Sequence, residues 1–118
     1  MNLTANIAVA LVALLHVYIL ILEMFLWDTP RGRKTFRLTA EFATASKTLA
    51  ANQGLYNGFL AAGLVWGLTL GSAGGPVKLF FLVCVFIAGV FGGLTANRRI
   101  LFVQAIPAAI ALTFLLLS

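Results

Sequence analysis

Apolar residues gather in four blocks, at about 5–27, 49–70, 77–96 and 100–117, with short polar or glycine-rich stretches between them. At about 1.5 Å of rise per residue, some 20 helical residues cross a hydrocarbon core of about 30 Å. The first block ends at Trp27, a typical interfacial anchor, and Asp28-Thr29-Pro30-Arg31-Gly32 then stops the helix. Thr39 fits an N-cap, with Glu41 in the following turn favourable to the helix dipole. No breaker follows before Leu70, so one long helix is predicted over 39–70, its first turns outside the bilayer. Gly71-Ser72-Ala73-Gly74-Gly75-Pro76 reads as a turn, and Asn97-Arg98-Arg99 as a tight connection. The pattern predicts an all-α integral membrane four-helix bundle of two hairpins, a single domain over 1–118, with a basic loop over 28–48.

Composition agrees. Hydrophobic residues make up 62% of the chain and charged residues 9%, against about a quarter charged in soluble domains. The net charge of +5 flanks apolar blocks and makes no exposed basic stripe, which argues against nucleic acid. One cysteine, Cys84, forms no intrachain disulfide, and one His with one Cys rules against a protein-only zinc site. The first six residues carry no Lys or Arg and no small-residue cleavage site follows the first block. That block is therefore expected to be a span and not a signal peptide.

The basic residues set the expected orientation. Arg31, Arg33, Lys34, Arg37, Lys47, Arg98 and Arg99 fall on one side of a four-span layout and Lys78 alone on the other. Short basic loops stay cytoplasmic. Both termini are therefore expected outside, with the chain in the bacterial inner membrane and lipid as its surroundings.

Candidate chemistry lies in the polar residues within the blocks. His16 and Glu23 are two turns apart on one face of the first helix. Asn52, Gln53, Tyr56 and Asn57 cover an arc of about 140° on the second, and Gln104 lies about one and a half turns into the fourth. All enter from the expected cytoplasmic side. Lipid cannot satisfy them, so they should face the bundle interior, a subunit interface or a water-filled cavity. Arg98, Arg99 and Lys47 are candidate charge partners for Glu23. Each candidate also has a structural reading: Glu23 as half of an ion pair, His16 as a satisfied interior histidine, the amides as interhelical hydrogen bonds. Tyr18 points away from His16 and reads as packing or a subunit contact. The rows Gly54/Gly58/Ala62, Gly63/Gly67/Gly71, Ala88/Gly92 and Gly89/Gly93 allow close helix approach, within hairpins or between subunits.

Three runs carry a resemblance. They are His16-Val-Tyr18-Ile-Leu-Ile-Leu-Glu23-Met-Phe-Leu-Trp27-Asp28-Thr-Pro30-Arg31-Gly32-Arg33-Lys34, Leu49-Ala-Ala-Asn52-Gln53-Gly54-Leu-Tyr56-Asn57-Gly58-Phe59 and Ile100-Leu-Phe-Val-Gln104-Ala-Ile-Pro107-Ala. They resemble domain-of-unknown-function family 1304, small bacterial membrane proteins with no assigned activity. A remoter likeness is to the MAPEG proteins of eicosanoid and glutathione metabolism. It rests on Lys47, Asn52, Tyr56 and Phe59 ahead of an apolar run, and on Gln104 and Pro107 in the fourth helix. That resemblance implies a four-helix membrane trimer binding its ligand between subunits on the cytoplasmic side. The chain departs from it at Ala51, where the motif has Arg, at Gly54-Leu55, where it has an acidic residue, and in a third helix without Arg or Tyr.

Three functions fit these residues. The first is a bundle, oligomeric by resemblance, that binds or modifies a small amphipathic molecule at His16, Glu23, Asn52, Gln53, Tyr56, Asn57 and Gln104. The second is a small transporter or channel using Glu23 and His16. The third is a non-catalytic scaffold in which the polar cluster fixes packing. The residues assign no reaction and no cofactor.

Overall fold

The computed structural model describes residues 2–118, which are all-α with no strand among them. The helices are α1 (Leu3–Phe25), α2 (Pro30–Phe36), α3 (Ala40–Thr69), α4 (Gly75–Thr95) and α5 (Ile106–Leu117). A 3₁₀ turn over Gly71–Gly74 leads into α4, and a π-helical turn over Leu101–Ala105 leads into α5. The chain divides into two compact units, residues 1–14 with 60–118, and residues 15–59.

In the first unit four helices contribute to one buried cluster: Val9, Val12 and Ala13 of α1, Leu64 of α3, Leu82 and Val85 of α4, and Ala108 and Ala111 of α5. Several of these are small, and glycine brings the backbones closer still. A Cβ on Gly89 of α4 would lie 2.9 Å from Ala105 Cα, and one on Gly67 would lie 2.6 Å from Lys78 Cγ. Gly67 and Gly89 of these rows thus admit close approach within the chain. The turn into α4 needs its glycine for another reason, because Gly71 takes a positive φ of 63°.

Pro107 accounts for the π turn. It has no N–H for the Val103 carbonyl, and its ring would crowd that carbonyl in a regular helix. The turn widens instead, and the Ile106 N–H bonds the Leu101 carbonyl five residues back. A uniform helix over 100–117 is therefore replaced by two segments of different pitch.

Many large apolar side chains point outward. Leu3, Leu94 and Leu117 are three-quarters exposed, and Ile7, Leu11, Phe80, Ile87, Phe91 and Phe102 each more than half. Among the described residues, Leu3–Phe25 and Gly71–Thr95 are the helices long and apolar enough to cross a membrane, while Leu101–Leu117 is a shorter apolar helix.

The second unit holds the end of α1, α2 and the start of α3. Leu22, Ala43 and Ala50 are its buried apolar residues, with Gly32 and Gly54 also buried. Thr39 caps α3 by accepting the Phe42 N–H at 3.1 Å. The stretch ahead of it, expected as loop, contains α2. Thr29 caps this helix, accepting the Gly32 N–H at 3.3 Å, and Pro30 occupies its first turn, where its missing N–H costs nothing. Proline here starts a helix as well as ending one. Arg37 closes α2 in the left-handed conformation, its N–H returning to Arg33 and Lys34.

Candidate functional site

Within the 15–59 unit, α1 and α3 approach through glycine. A Cβ on Gly54 would lie 2.6 Å from Met24 Cγ and 3.1 Å from Glu23 Cβ, and one on Gly58 would lie 2.6 Å from Leu20 Cδ1. That approach brings Asn57, between the two glycines, against Glu23. Its Nδ2 donates to Glu23 Oε1 at 2.6 Å, and both residues are partly buried. A carboxylate accepting from an amide retains a second oxygen for another donor, so the pair can receive an N–H, an O–H or a cation.

The other candidates divide by position. His16 is fully buried on α1. Asn52, Gln53 and Tyr56 lie on an exposed face of α3 with Leu49 and Phe59, while Ala50, Gly54 and Asn57 are on the packed side. The expected amide arc is thus split: one amide meets Glu23 and two face outward. Gln104 belongs to the other unit, partly buried on the π turn. Of the basic residues considered as partners for Glu23, Lys47 lends its charge to Asp28 instead. Arg98 and Arg99 are exposed in the other unit.

A second arrangement joins the ends of α1, α2 and α3. Thr29 Oγ1 donates to the Leu26 carbonyl at 2.6 Å while accepting from Gly32. Arg33 Nη1 meets Asp28 Oδ1 at 2.9 Å, and the Thr44 hydroxyl donates to Asp28 Oδ2 at 2.9 Å. Trp27 Nε1 donates to Ser46 Oγ at 3.0 Å, and the Trp27 and Phe36 rings lie 4.7 Å apart. Arg31 Nη2 donates to the Tyr18 hydroxyl at 3.0 Å. Tyr18 is thereby tied to the segment the sequence assigns to topology. The Trp-Asp-Thr-Pro-Arg-Gly-Arg run is a clamp, and its signal in the sequence is the density of capping and charged residues around one proline.

Asp28 gives this clamp a pH dependence. The Thr44 hydrogen bond holds its carboxyl below the usual carboxylate range; desolvation, second in size, opposes it, and the hydrogen bond and charge of Arg33 and the charge of Lys47 add to the lowering. A pKa lowered by folding stabilises the folded state above the unfolded value of about 3.9, and that stability is lost as pH falls through the folded value. Unfolding midpoints of the wild type and Asp28→Asn, measured from pH 6 downward, should therefore differ most above about pH 4 and converge below it. A constant difference across that range would show that Asp28 contributes no charge-dependent stability.

Residues 10–116 match the family described as Protein of unknown function (DUF1304). The chain belongs to this family. A relative of this DUF1304 chain is the uncharacterized protein YpaA of Lactococcus lactis subsp. lactis (strain IL1403), 33% identical over 104 residues, which are 86% of this chain and 87% of that protein. No solved structure matches the chain. The DUF1304 match takes in both the Glu23–Asn57 pair and the Trp27–Arg33 clamp.

Proposed function

We propose that this chain is an integral membrane protein whose Glu23–Asn57 pair binds the polar end of a small amphipathic molecule near the cytoplasmic face. Four spans are formed by α1, α3, α4 and the segment ending in α5, with both termini outside. The outward Leu, Ile and Phe side chains support this reading, since an apolar surface around a small-residue core suits lipid as solvent. Seven basic residues on one side of that layout against Lys78 on the other support the orientation.

The observation that carries the ligand reading is the short Glu23–Asn57 hydrogen bond at a partly exposed position, with Asn52, Gln53 and Tyr56 on the neighbouring exposed face of the same helix. Two outward amides in a spanning helix need polar partners. In an assembly of copies, as in the MAPEG-like layout, that face meets a neighbouring subunit and the ligand lies at the seam. Glutathione chemistry is left out of the proposal, because the matching Arg and acidic positions hold Ala51 and Gly54-Leu55. A scaffold reading draws on the same hydrogen bond, since Asn57 alone can satisfy Glu23.

Native mass spectrometry of the protein released from lipid tests the proposal, with topology reporters placed after Ser118 and near Arg33. The expected result is an oligomer carrying a bound small molecule, with the Ser118 reporter outside and the Arg33 reporter in the cytoplasm. Glu23→Gln should lose the molecule while insertion and assembly persist. A ligand-free wild type, or a Glu23→Gln variant that keeps its ligand, would overturn the ligand reading. A cytoplasmic Ser118 would overturn the orientation.

A further inference from the structure

We infer that the cavity walled by Asn6 and Lys78 is an anion-binding site, taking a phosphate or carboxylate group attached to a short apolar chain. This site lies wholly in the unit of residues 1–14 and 60–118 and is separate from the Glu23–Asn57 pair.

The cavity holds about 420 Å³, within the range of about 300–1,000 Å³ for small-molecule sites. Asn2, Asn6, Ser72 and Lys78 supply polar wall, and Leu79 and Leu115 apolar wall. Lys78 is only 4% exposed, and its Nζ donates to Asn6 Oδ1 at 2.9 Å. Among the described residues, that neutral amide oxygen is the side-chain acceptor for an ammonium with three donors. The three acidic side chains of the protein, Glu23, Asp28 and Glu41, all lie in residues 15–59, so the unit that buries Lys78 contains none. A buried ammonium with no acidic side chain in its unit is costly, and a bound anion offsets that cost.

The two asparagines of the wall add donors. Lysine only donates, so Asn6 must turn its oxygen to Nζ, which leaves its NH₂ as the group still available. Asn2 is committed in the same sense, its Oδ1 accepting the Ala5 N–H at 3.2 Å. Gly75, where the 3₁₀ turn meets the 21-residue α4, also lines the cavity, as do Leu116 and Ser118 at the end of α5. Packing holds Lys78 in place. Gly67 has no side chain where a Cβ would lie 2.6 Å from Lys78 Cγ, so the lysine stem lies against α3. In the sequence Lys78 counts only as a lone basic residue on the outer side. What that reading misses is Asn6, 72 positions away, as its partner.

The test titrates purified full-length protein in dodecyl maltoside by calorimetry, using dodecyl phosphate and inorganic phosphate as separate probes. The detergent carries the same alkyl chain on an uncharged head and so controls for apolar binding. Dodecyl phosphate should bind one per chain, and Lys78→Met should weaken it by at least about tenfold, as expected for a charge-assisted hydrogen bond. Asn6→Asp keeps the hydrogen bond to Lys78 but supplies an internal counter-charge. It should cause a similar loss of binding while the unfolding midpoint is kept or raised, which separates the site from a folding defect. Matching Lys78-dependent binding of inorganic phosphate would identify a free anion as the ligand, and binding of dodecyl phosphate alone a lipid-like headgroup. Saturable binding of neither probe, or an Asn6→Asp protein that binds dodecyl phosphate as tightly as the wild type, would overturn the inference.

Discussion

Gly32→Ala should be among the most damaging single substitutions in this chain, lowering stability by about 3 kcal/mol or more. The added Cβ would fall on the Leu26 carbonyl oxygen and within 2.6 Å of the Trp27 carbonyl oxygen. Both obstacles are backbone, so no side chain can swing aside. The Leu26 carbonyl also accepts the Thr29 hydroxyl, so moving it disturbs the cap of α2. Gly75→Ala is the matched control, because nothing lies within 4 Å of a Cβ there. Heating in detergent, followed by chromatographic measurement of the folded fraction, should show a large fall in midpoint for Gly32→Ala and little change for Gly75→Ala. Equal midpoints would mean that the clamp is softer than its geometry implies.

Glu23 and Asn57 should show strong coupling in a double-mutant cycle of Glu23→Leu and Asn57→Leu. Removing Asn57 alone leaves a partly buried carboxylate without its amide, a loss of about 1–3 kcal/mol. Removing both takes away donor and acceptor together and should cost less than the sum of the single changes. We expect a coupling energy of at least about 1 kcal/mol, above the average of about 0.6 kcal/mol for interhelical hydrogen bonds in a membrane. Denaturant unfolding of the four proteins measures it, and strictly additive effects would refute the coupling. A further variant, Glu23→Gln, divides the two readings of the pair. For a binding site, Glu23→Gln removes the ligand at small cost in stability; for a scaffold, stability changes and there is no ligand to lose.

The sequence made the helical class and most element boundaries readable, because the relevant signals are local. Thr39 with Glu41 marks the start of α3, and Gly71 to Pro76 marks the turn into α4. The Glu23 and Asn57 positions were also readable as polar residues in apolar blocks, although their pairing depends on Gly54 and Gly58 admitting α1 to one side of α3. Helical spacing alone groups Asn52 and Gln53 with Asn57, but packing consumes only one side of that arc and leaves the first two outside. Other features were hidden because they arise between distant segments. Asp28 joining Thr44 to Arg33 and Lys78 joining Asn6 cannot be seen in local periodicity. Proline before a basic run reads as a stop, and only Thr29 and Gly32 together make it a second start.

The π-helical turn at Leu101–Ala105 sets the phase of the last helix. A π turn amounts to one extra residue accommodated inside a continuous helix. Drawing the same residues out into uniform α-helix would instead rotate everything beyond them by about 100° relative to Ile100. Ala108 and Ala111, now wholly buried, would leave the cluster they share with Leu82 and Val85, and bulkier neighbours would turn inward. The wide turn thus takes up one residue more than an α-helix would need and keeps Ala108 and Ala111 facing Leu82 and Val85.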